Sequence, residues 1–249
     1  MNLIFFWIAN FISIRKKTID KYPRFLFSKD LLSEIPILWK FSLPTFLIAI
    51  FMETTRWFCN TTMIAGRNGF NEMAIFDVSY QWLVAISFIP AILSQVALPI
   101  LSNSIDDKER YSAIFYKNFK INVVISILIC VVFFFFTSTI LSLYGQAYTQ
   151  SNDVFVYLII CSTLTAINSS IWQITTSSDQ MWINMSLNLL WCLVLILATV
   201  LFASCRVLNA NNLAISYLIA YSLQTIALFC YFFFYQKNVI LTFNLYKKN

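Results

Sequence analysis

The chain contains no histidine, and only three glycines and five prolines among 249 residues. Without histidine it lacks the commonest general base and the commonest metal ligand. No G-x-x-x-x-G-K-[ST] loop, G-x-G-x-x-G turn or nucleophile elbow occurs, so phosphate-cradling and acyl-transfer motifs are absent. Charge is equally scarce. Asp, Glu, Lys and Arg make up 11% of the residues, against about 25% in a soluble domain. A soluble globule, an intrinsically disordered chain and a Gly/Pro-rich fibre are all excluded by this composition. The six cysteines (Cys59, Cys130, Cys161, Cys192, Cys205 and Cys230) lie inside or at the ends of apolar stretches with no CxxC spacing. They read as small apolar packing groups, not as a disulfide framework or a zinc site. Nothing here argues for an enzyme, a cofactor or a metal.

What the chain does have is apolar mass. Hydrophobic residues are 59% and aromatics 18%, with 25 Phe, 12 Tyr and 7 Trp. Five windows carry no charge at all: 78–105, 121–152, 154–178, 180–205 and 207–236, between 25 and 32 residues long. A membrane-crossing helix needs about 20 mostly apolar residues, so each window holds one helix and its turn. Strands of an outer-membrane barrel would alternate polar and apolar residues. Runs such as Phe133-Phe134-Phe135-Phe136 do not. The expected fold is an all-α, polytopic membrane protein: a six-helix transmembrane lobe preceded by a short extra transmembrane segment. The spans are expected at about 1–14 (short), 36–63, 73–101, 119–143, 154–177, 182–204 and 211–235, with a tail at 236–249. Pro36 suits a first helical turn. Pro44 and Pro90 fall inside spans, where each is expected to kink its helix.

Thirteen of the 17 Lys and Arg lie in segment 15–34, in region 102–120 and in the tail, whereas the alternate loops hold only Arg67 and Arg206. By the positive-inside bias the first three regions, including the C-terminus, face the cytoplasm. The net charge of +6 is therefore a topology signal and does not mark nucleic-acid binding. Segment 15–35 interleaves basic and apolar residues. It reads equally as a helix lying in the headgroup layer or as a plain cytoplasmic linker.

Ionisable residues inside spans are expensive, so they turn inward and pair. Lys40 is close enough to the cytoplasmic edge to snorkel. Glu53 and Arg56 are three residues apart, on one helical face, and Asp77 starts the next, antiparallel span at similar depth. Two readings stay open. The pair neutralises itself while Asp77 sits near the headgroups, or the three form a polar patch lining a water-accessible cavity, thickened by Asn60, Thr61, Thr62, Tyr80 and Gln81. In the second reading Arg56 supplies a cation for an anionic substrate, and Glu53 and Asp77 hold Arg56 or bind a coupling Na⁺ or H⁺. Asn168, Gln173, Asn184 and Asn188, in later spans, are expected to make helix–helix hydrogen bonds.

The stretch Leu38-Trp39-Lys40-Phe41-Ser42-Leu43-Pro44-Thr45-Phe46 resembles the opening of the second half of Wzx-type polysaccharide flippases, in the multidrug/oligosaccharidyl-lipid/polysaccharide exporter superfamily. Gln81-Trp82 through Phe88-Ile89-Pro90 to Leu98-Pro99-Ile100-Leu101-Ser102 fits the same pattern. So do Leu141 to Tyr144-Gly145, Asp179-Gln180-Met181-Trp182 and Asn188-Leu189-Leu190-Trp191. The resemblance is diffuse and runs from residue 36 onward. It implies a flippase for O-antigen or related lipopolysaccharide and cell-surface glycans in the bacterial inner membrane. Such a protein moves an oligosaccharide on undecaprenyl pyrophosphate between leaflets by rocking two lobes around a cationic cavity. Its implied partners are the bilayer, the lipid-linked oligosaccharide and a first lobe, supplied as a separate chain or as a second copy. This chain departs from the family in carrying one lobe and a stub, as a truncated or split protein would. A drug or metabolite exporter of the same superfamily, a membrane glycosyltransferase and a non-functional remnant are the competing readings. The glycosyltransferase reading lacks the large external loop such an enzyme needs.

Overall fold

The computed structural model describes residues 35–246, apart from positions 67, 105–106 and 206–207. Two compact units divide at Leu43 and Pro44. The described part of the first is a helical turn, Ile35–Ile37, followed by a π-helical turn, Leu38–Ser42, on which Lys40 is exposed. The expected segments 1–14 and 15–34 lie outside the described residues. In the second unit are α1 (Leu43–Ile64), α2 (Gly69–Ser102), α3 (Lys108–Phe135), the short α4 (Thr137–Ser142), a 3₁₀ turn Gln146–Ser151, α5 (Asn152–Ser177), α6 (Met181–Ser204) and α7 (Ala210–Tyr246). Among the described residues there is no strand.

Five of these helices are long and apolar enough to cross a membrane: Gly69–Ser102, Glu109–Phe135, Asn152–Ser177, Met181–Ser204 and Ala210–Phe234. α1 has the length, about 33 Å at 1.5 Å per residue. However, Glu53, Arg56 and Asn60-Thr61-Thr62 interrupt its apolar run, and it is not among those five. The boundaries differ from the expected spans in three places. The span expected at 119–143 begins at Lys108 and breaks at Phe136, after which α4 starts. The span expected at 73–101 begins at Gly69, and the one expected at 211–235 runs on to Tyr246. The common cause is that charged residues mark where a helix leaves hydrocarbon, not where its backbone ladder stops. The break at 136 is local: Thr137 Oγ1 donates to the carbonyls of Phe133 (3.0 Å) and Phe134 (2.9 Å), capping the end of α3. Pro90, expected to kink its span, is buried and α2 is helical through it. Pro44, also buried, is the second residue of α1, just past the π-helical turn, where its missing N–H removes a ladder donor.

The connections obey turn chemistry. Asn68 adopts a left-handed conformation (φ 61) ahead of α2, and Asp179 does so (φ 56) between α5 and α6; both are residue types that tolerate it. Asp107 caps α3 by accepting from the Arg110 amide at 3.0 Å, and Asn209 caps α7 by accepting from the Asn212 amide at 2.8 Å. A second cap on α7 comes from another helix. Glu72 Oε2, in the first turn of α2, accepts from the Ala210 amide at 2.8 Å. This places a carboxylate at the positive end of a helix dipole and ties the two helix starts together.

α5 is the hub. It packs on α2, α3 and α7, while α6 packs mainly on α7. Near the ends expected to face the periplasm, the core is aromatic and aliphatic: Met73 and Phe76 from α2, Leu158 and Cys161 from α5, Trp191 and Leu195 from α6, Tyr217 and Tyr221 from α7. α1 docks on it with Cys59 and Met63, and Thr199 of α6 donates to Cys59 Sγ at 3.4 Å. Toward the other end the interior is polar. Asn122 of α3, fully buried, donates to Ser94 of α2 (3.1 Å) and Ser170 of α5 (3.0 Å), and Asn118 donates to Gln173 at 3.1 Å. On the opposite face of α5, Asn168 donates to Gln224 of α7 (3.4 Å), which donates to Asn188 of α6 (3.3 Å). These are the helix–helix roles expected of Asn168, Gln173 and Asn188. Asn184 instead accepts from Asn188 within α6. The outer surface is the reverse of a soluble protein's. Phe134, Phe135, Leu143, Leu197, Leu201 and Phe234 are all more than half exposed, which is stable only against lipid.

A Cβ on Gly69 would sit 2.3 Å from the Ile64 carbonyl oxygen, whereas one on Gly66 would meet the Met63 oxygen at 3.1 Å. Gly69→Ala should therefore force the α1–α2 turn apart and lower stability by about 1–3 kcal/mol, with Gly66→Ala costing less. Thermal unfolding of both variants in detergent, read by circular dichroism, checks the order.

Candidate functional site

The site starts from a helical repeat. Residues three apart on α1 share a face, so Glu53 and Arg56 form an ion pair through Glu53 Oε2 and Arg56 Nη2. It is the one ion pair among the described residues. α2 runs antiparallel to α1 and brings Tyr80 alongside. Arg56 Nη1 donates to the Tyr80 hydroxyl at 3.3 Å, and the guanidinium carbon lies 5.6 Å from the Tyr80 ring centroid, within cation–π range. One ring therefore both accepts from the cation and faces it. Behind Tyr80 the rings continue inward. Tyr80 to Phe76 and Tyr80 to Tyr217 are each 5.9 Å between centroids, and Tyr217 to Trp191 is 5.8 Å. This aromatic wall is rigid and buried, so it fixes Tyr80 and, through Tyr80, the guanidinium.

Arg56 is eight residues from the end of α1, and Asp77 is eight residues from the start of α2. Both are about 12 Å from their helix ends at 1.5 Å per residue. Asp77 is exposed and feels the Arg56 charge without closing a salt bridge. Gln81 lies one turn beyond Asp77 on the same exposed face, and among the described residues it has no hydrogen bond to Arg56. Asn60, one turn beyond Arg56, is half-buried with its Oδ1 unpartnered. The structure thus joins Glu53, Arg56 and Tyr80, sets Asp77 nearby, and leaves Asn60 and Gln81 on the rim. Lys40 belongs to the other unit. Missed in the sequence are Glu72, whose helix-capping role needs the position of α7, and the buried Trp191 and Tyr217 behind Tyr80. Each aromatic carries an unpartnered polar atom, Nε1 and the hydroxyl.

The Arg56 side chain is 38% exposed and that of Glu53 66%. A guanidinium has five donors in a planar fork, and two are engaged here. The remainder can meet an anion, for which arginine is the preferred side chain. No nucleophile–base pair is assembled around it, and among the described residues no three His, Cys, Asp or Glu converge on a metal position. The arrangement is a binding surface. A separate, wholly apolar groove of about 320 Å³ between α3 and α5, lined by residues such as Val131, Phe135 and Ile160, belongs to the lipid-facing side.

No family model matches the chain. It is 25% identical over 173 residues to the EPS I polysaccharide export inner membrane protein EpsE of Ralstonia nicotianae, covering 68% of this chain and 39% of that protein. It is 36% identical over 69 residues to the protein of that name from Ralstonia solanacearum, covering 28% and 16%. The aligned part is thus less than half the length of these curated relatives. Among solved structures the fold is similar to a MOP-superfamily transporter from Pyrococcus furiosus (TM-score 0.70, 16% identity). It is equally similar to a MATE transporter in complex with MaL6 (0.68, 16%) and to an outward-facing multidrug-resistance MATE transporter (0.69, 16%). Each match covers 84% of this chain and 48% of the other. The chain is a polytopic α-helical membrane protein with the fold of about half of a MOP-superfamily transporter. Its sequence is similar to that of polysaccharide-export proteins.

Tyr80→Phe keeps the ring and removes the acceptor. Arg56 should then react several-fold faster with an arginine-selective dicarbonyl, read peptide by peptide by mass spectrometry, with little change in melting temperature because the aromatic wall stays filled. Unchanged reactivity would show that Glu53 alone restrains the guanidinium.

Proposed function

We propose that this chain forms one lobe of an exporter that moves an anionic, lipid-linked polysaccharide unit across the bacterial inner membrane by alternating access. The observation that carries this reading is the half-exposed Glu53–Arg56–Tyr80 cluster with Asp77 beside it, roughly 12 Å inside the helix ends. Exposed charges within a span are disfavoured against hydrocarbon, by about 2.5–3.5 kcal/mol each near mid-membrane. They face a water-filled space, and a second lobe must close it. Arg56 receives the phosphate charge of the lipid carrier, and Tyr80 holds the guanidinium in place. Glu53 and Asp77 are the groups available to take up a coupling H⁺ or Na⁺. The polysaccharide-export names of the sequence relatives support the cargo, and the two-lobed transporters of the same fold support the mechanism. As a transporter lobe the chain performs no covalent chemistry.

A multidrug exporter is the second reading. Two carboxylates, Glu53 and Asp77, share the face with a single arginine, and such a surface also suits an organic cation. The two readings separate on Arg56. In cells whose surface polysaccharide depends on a two-lobed transporter containing this lobe, Arg56→Ala should cut surface glycan ten-fold or more. Arg56→Lys, which loses the bidentate fork, should restore only part of it. Drug sensitivity should not change. Normal glycan with Arg56→Ala, together with raised drug sensitivity in Glu53→Gln, would favour the drug exporter.

A further inference from the structure

α3 is the helix least covered by the rest of the molecule: only 11% of its most apolar stretch is buried. At 100° per residue, Arg110, Lys117, Ile121, Val124, Leu128, Val131 and Phe135 fall on one stripe. Lys120, Tyr116 and Ile127 flank it on one side. The structure leaves this stripe open: Arg110, Lys117 and Lys120 are exposed, Val124 is 60% exposed and Leu128 62%. The cations occupy the first four turns and the rest is aliphatic. Glu109 is the one acid within these turns, so the stripe keeps a net positive end. The opposite side of α3 is occupied, since Phe115 packs with Leu101 and Ile174 and Asn122 bonds into α2 and α5. The Glu53–Arg56 cluster is on α1, which α3 does not pack against.

We propose that this stripe is a binding site for an anionic phospholipid of the cytoplasmic leaflet. Its phosphate lies against Arg110, Lys117 and Lys120, Tyr116 sits at the interface level, and an acyl chain runs down Ile121, Val124 and Leu128 to Val131. The charge complements such a headgroup. Basic clusters where a helix meets the cytoplasm recognise anionic lipids, and half-exposed tyrosines mark the headgroup layer. The length decides the occupant. From Lys120 to Val131 is 11 residues, about 16 Å, which matches one leaflet of a hydrocarbon core about 30 Å thick. The site depends neither on the Arg56 cluster nor on what the protein transports.

The full chain, purified in a mild non-ionic detergent, is titrated with phosphatidylglycerol or phosphatidylcholine, and retained lipid is counted by native mass spectrometry. Phosphatidylglycerol should be retained in preference and should resist displacement by millimolar inorganic phosphate, because the acyl contacts are part of the site. Lys117→Gln with Lys120→Gln should weaken its retention about 25-fold, about five-fold for each charge removed. Lys40→Gln, a cation off the stripe, should leave retention unchanged. Val124→Asn with Leu128→Asn should weaken retention of both lipids while circular dichroism stays helical. Equal retention of the two lipids by the unmodified chain would overturn the proposal. So would an equal loss with Lys40→Gln, which would show that only net charge matters, or full displacement by inorganic phosphate, which would show a phosphate site without a lipid.

Discussion

In hydrocarbon a polar side chain finds no water, so it must find another polar side chain. That constraint organises the lobe around α5. Its two faces carry Ser170 with Gln173, and Asn168, and each set reaches across to polar groups on neighbouring helices. A single helix thereby registers α2 and α3 on one side against α6 and α7 on the other. The hydrophobic effect cannot do this inside a membrane, because a leucine against lipid is about as well off as a leucine against another helix. The aliphatic residues are free to coat the outside, and they do.

Glu53 and Arg56 are the exception that the constraint makes informative. They satisfy each other, yet they remain partly exposed instead of being drawn into the bundle. Elsewhere the bundle does bury polar side chains: Asn122 and Asn168 are both fully buried. Carbons fill the place where their interior partners would be: Phe76, Trp191 and Tyr217 back the site with rings. The result is a charged face on a rigid apolar support.

Much of this was legible in the sequence, but unevenly. Charge-free windows locate the helices because crossing a bilayer requires them. They overstate the turns, because Arg110, Lys117 and Lys120 sit on α3 itself and not in a loop before it. The Phe133 to Phe136 run hides the break at 136, which depends on one hydroxyl, that of Thr137. At the site, the Glu53–Arg56 pair follows from a spacing of three. Tyr80 as its anchor does not, because that requires knowing how far α2 slides against α1. Gln81 and Asn60 were expected in the patch by proximity in sequence. A turn of helix leaves both on the rim, Gln81 exposed and Asn60 half-buried. Glu72 could not be read at all: its partner is a backbone amide 138 residues away.

The exposure of the pair also bears on whether it could work. Buried deeply, an Arg–Glu pair is locked, because separating it strands a charge at a cost of about 3–5 kcal/mol. Facing water, the same pair is worth about 0–1 kcal/mol, little enough for an incoming anion to replace Glu53 at the guanidinium. Tyr80 would then keep Arg56 in place during the exchange, since its hydroxyl and ring contact the cation independently of the carboxylate. A site that must both take up and release its ligand needs a cation that is positioned but weakly committed. An ion pair at the water boundary, backed by an aromatic ring, meets both conditions at once.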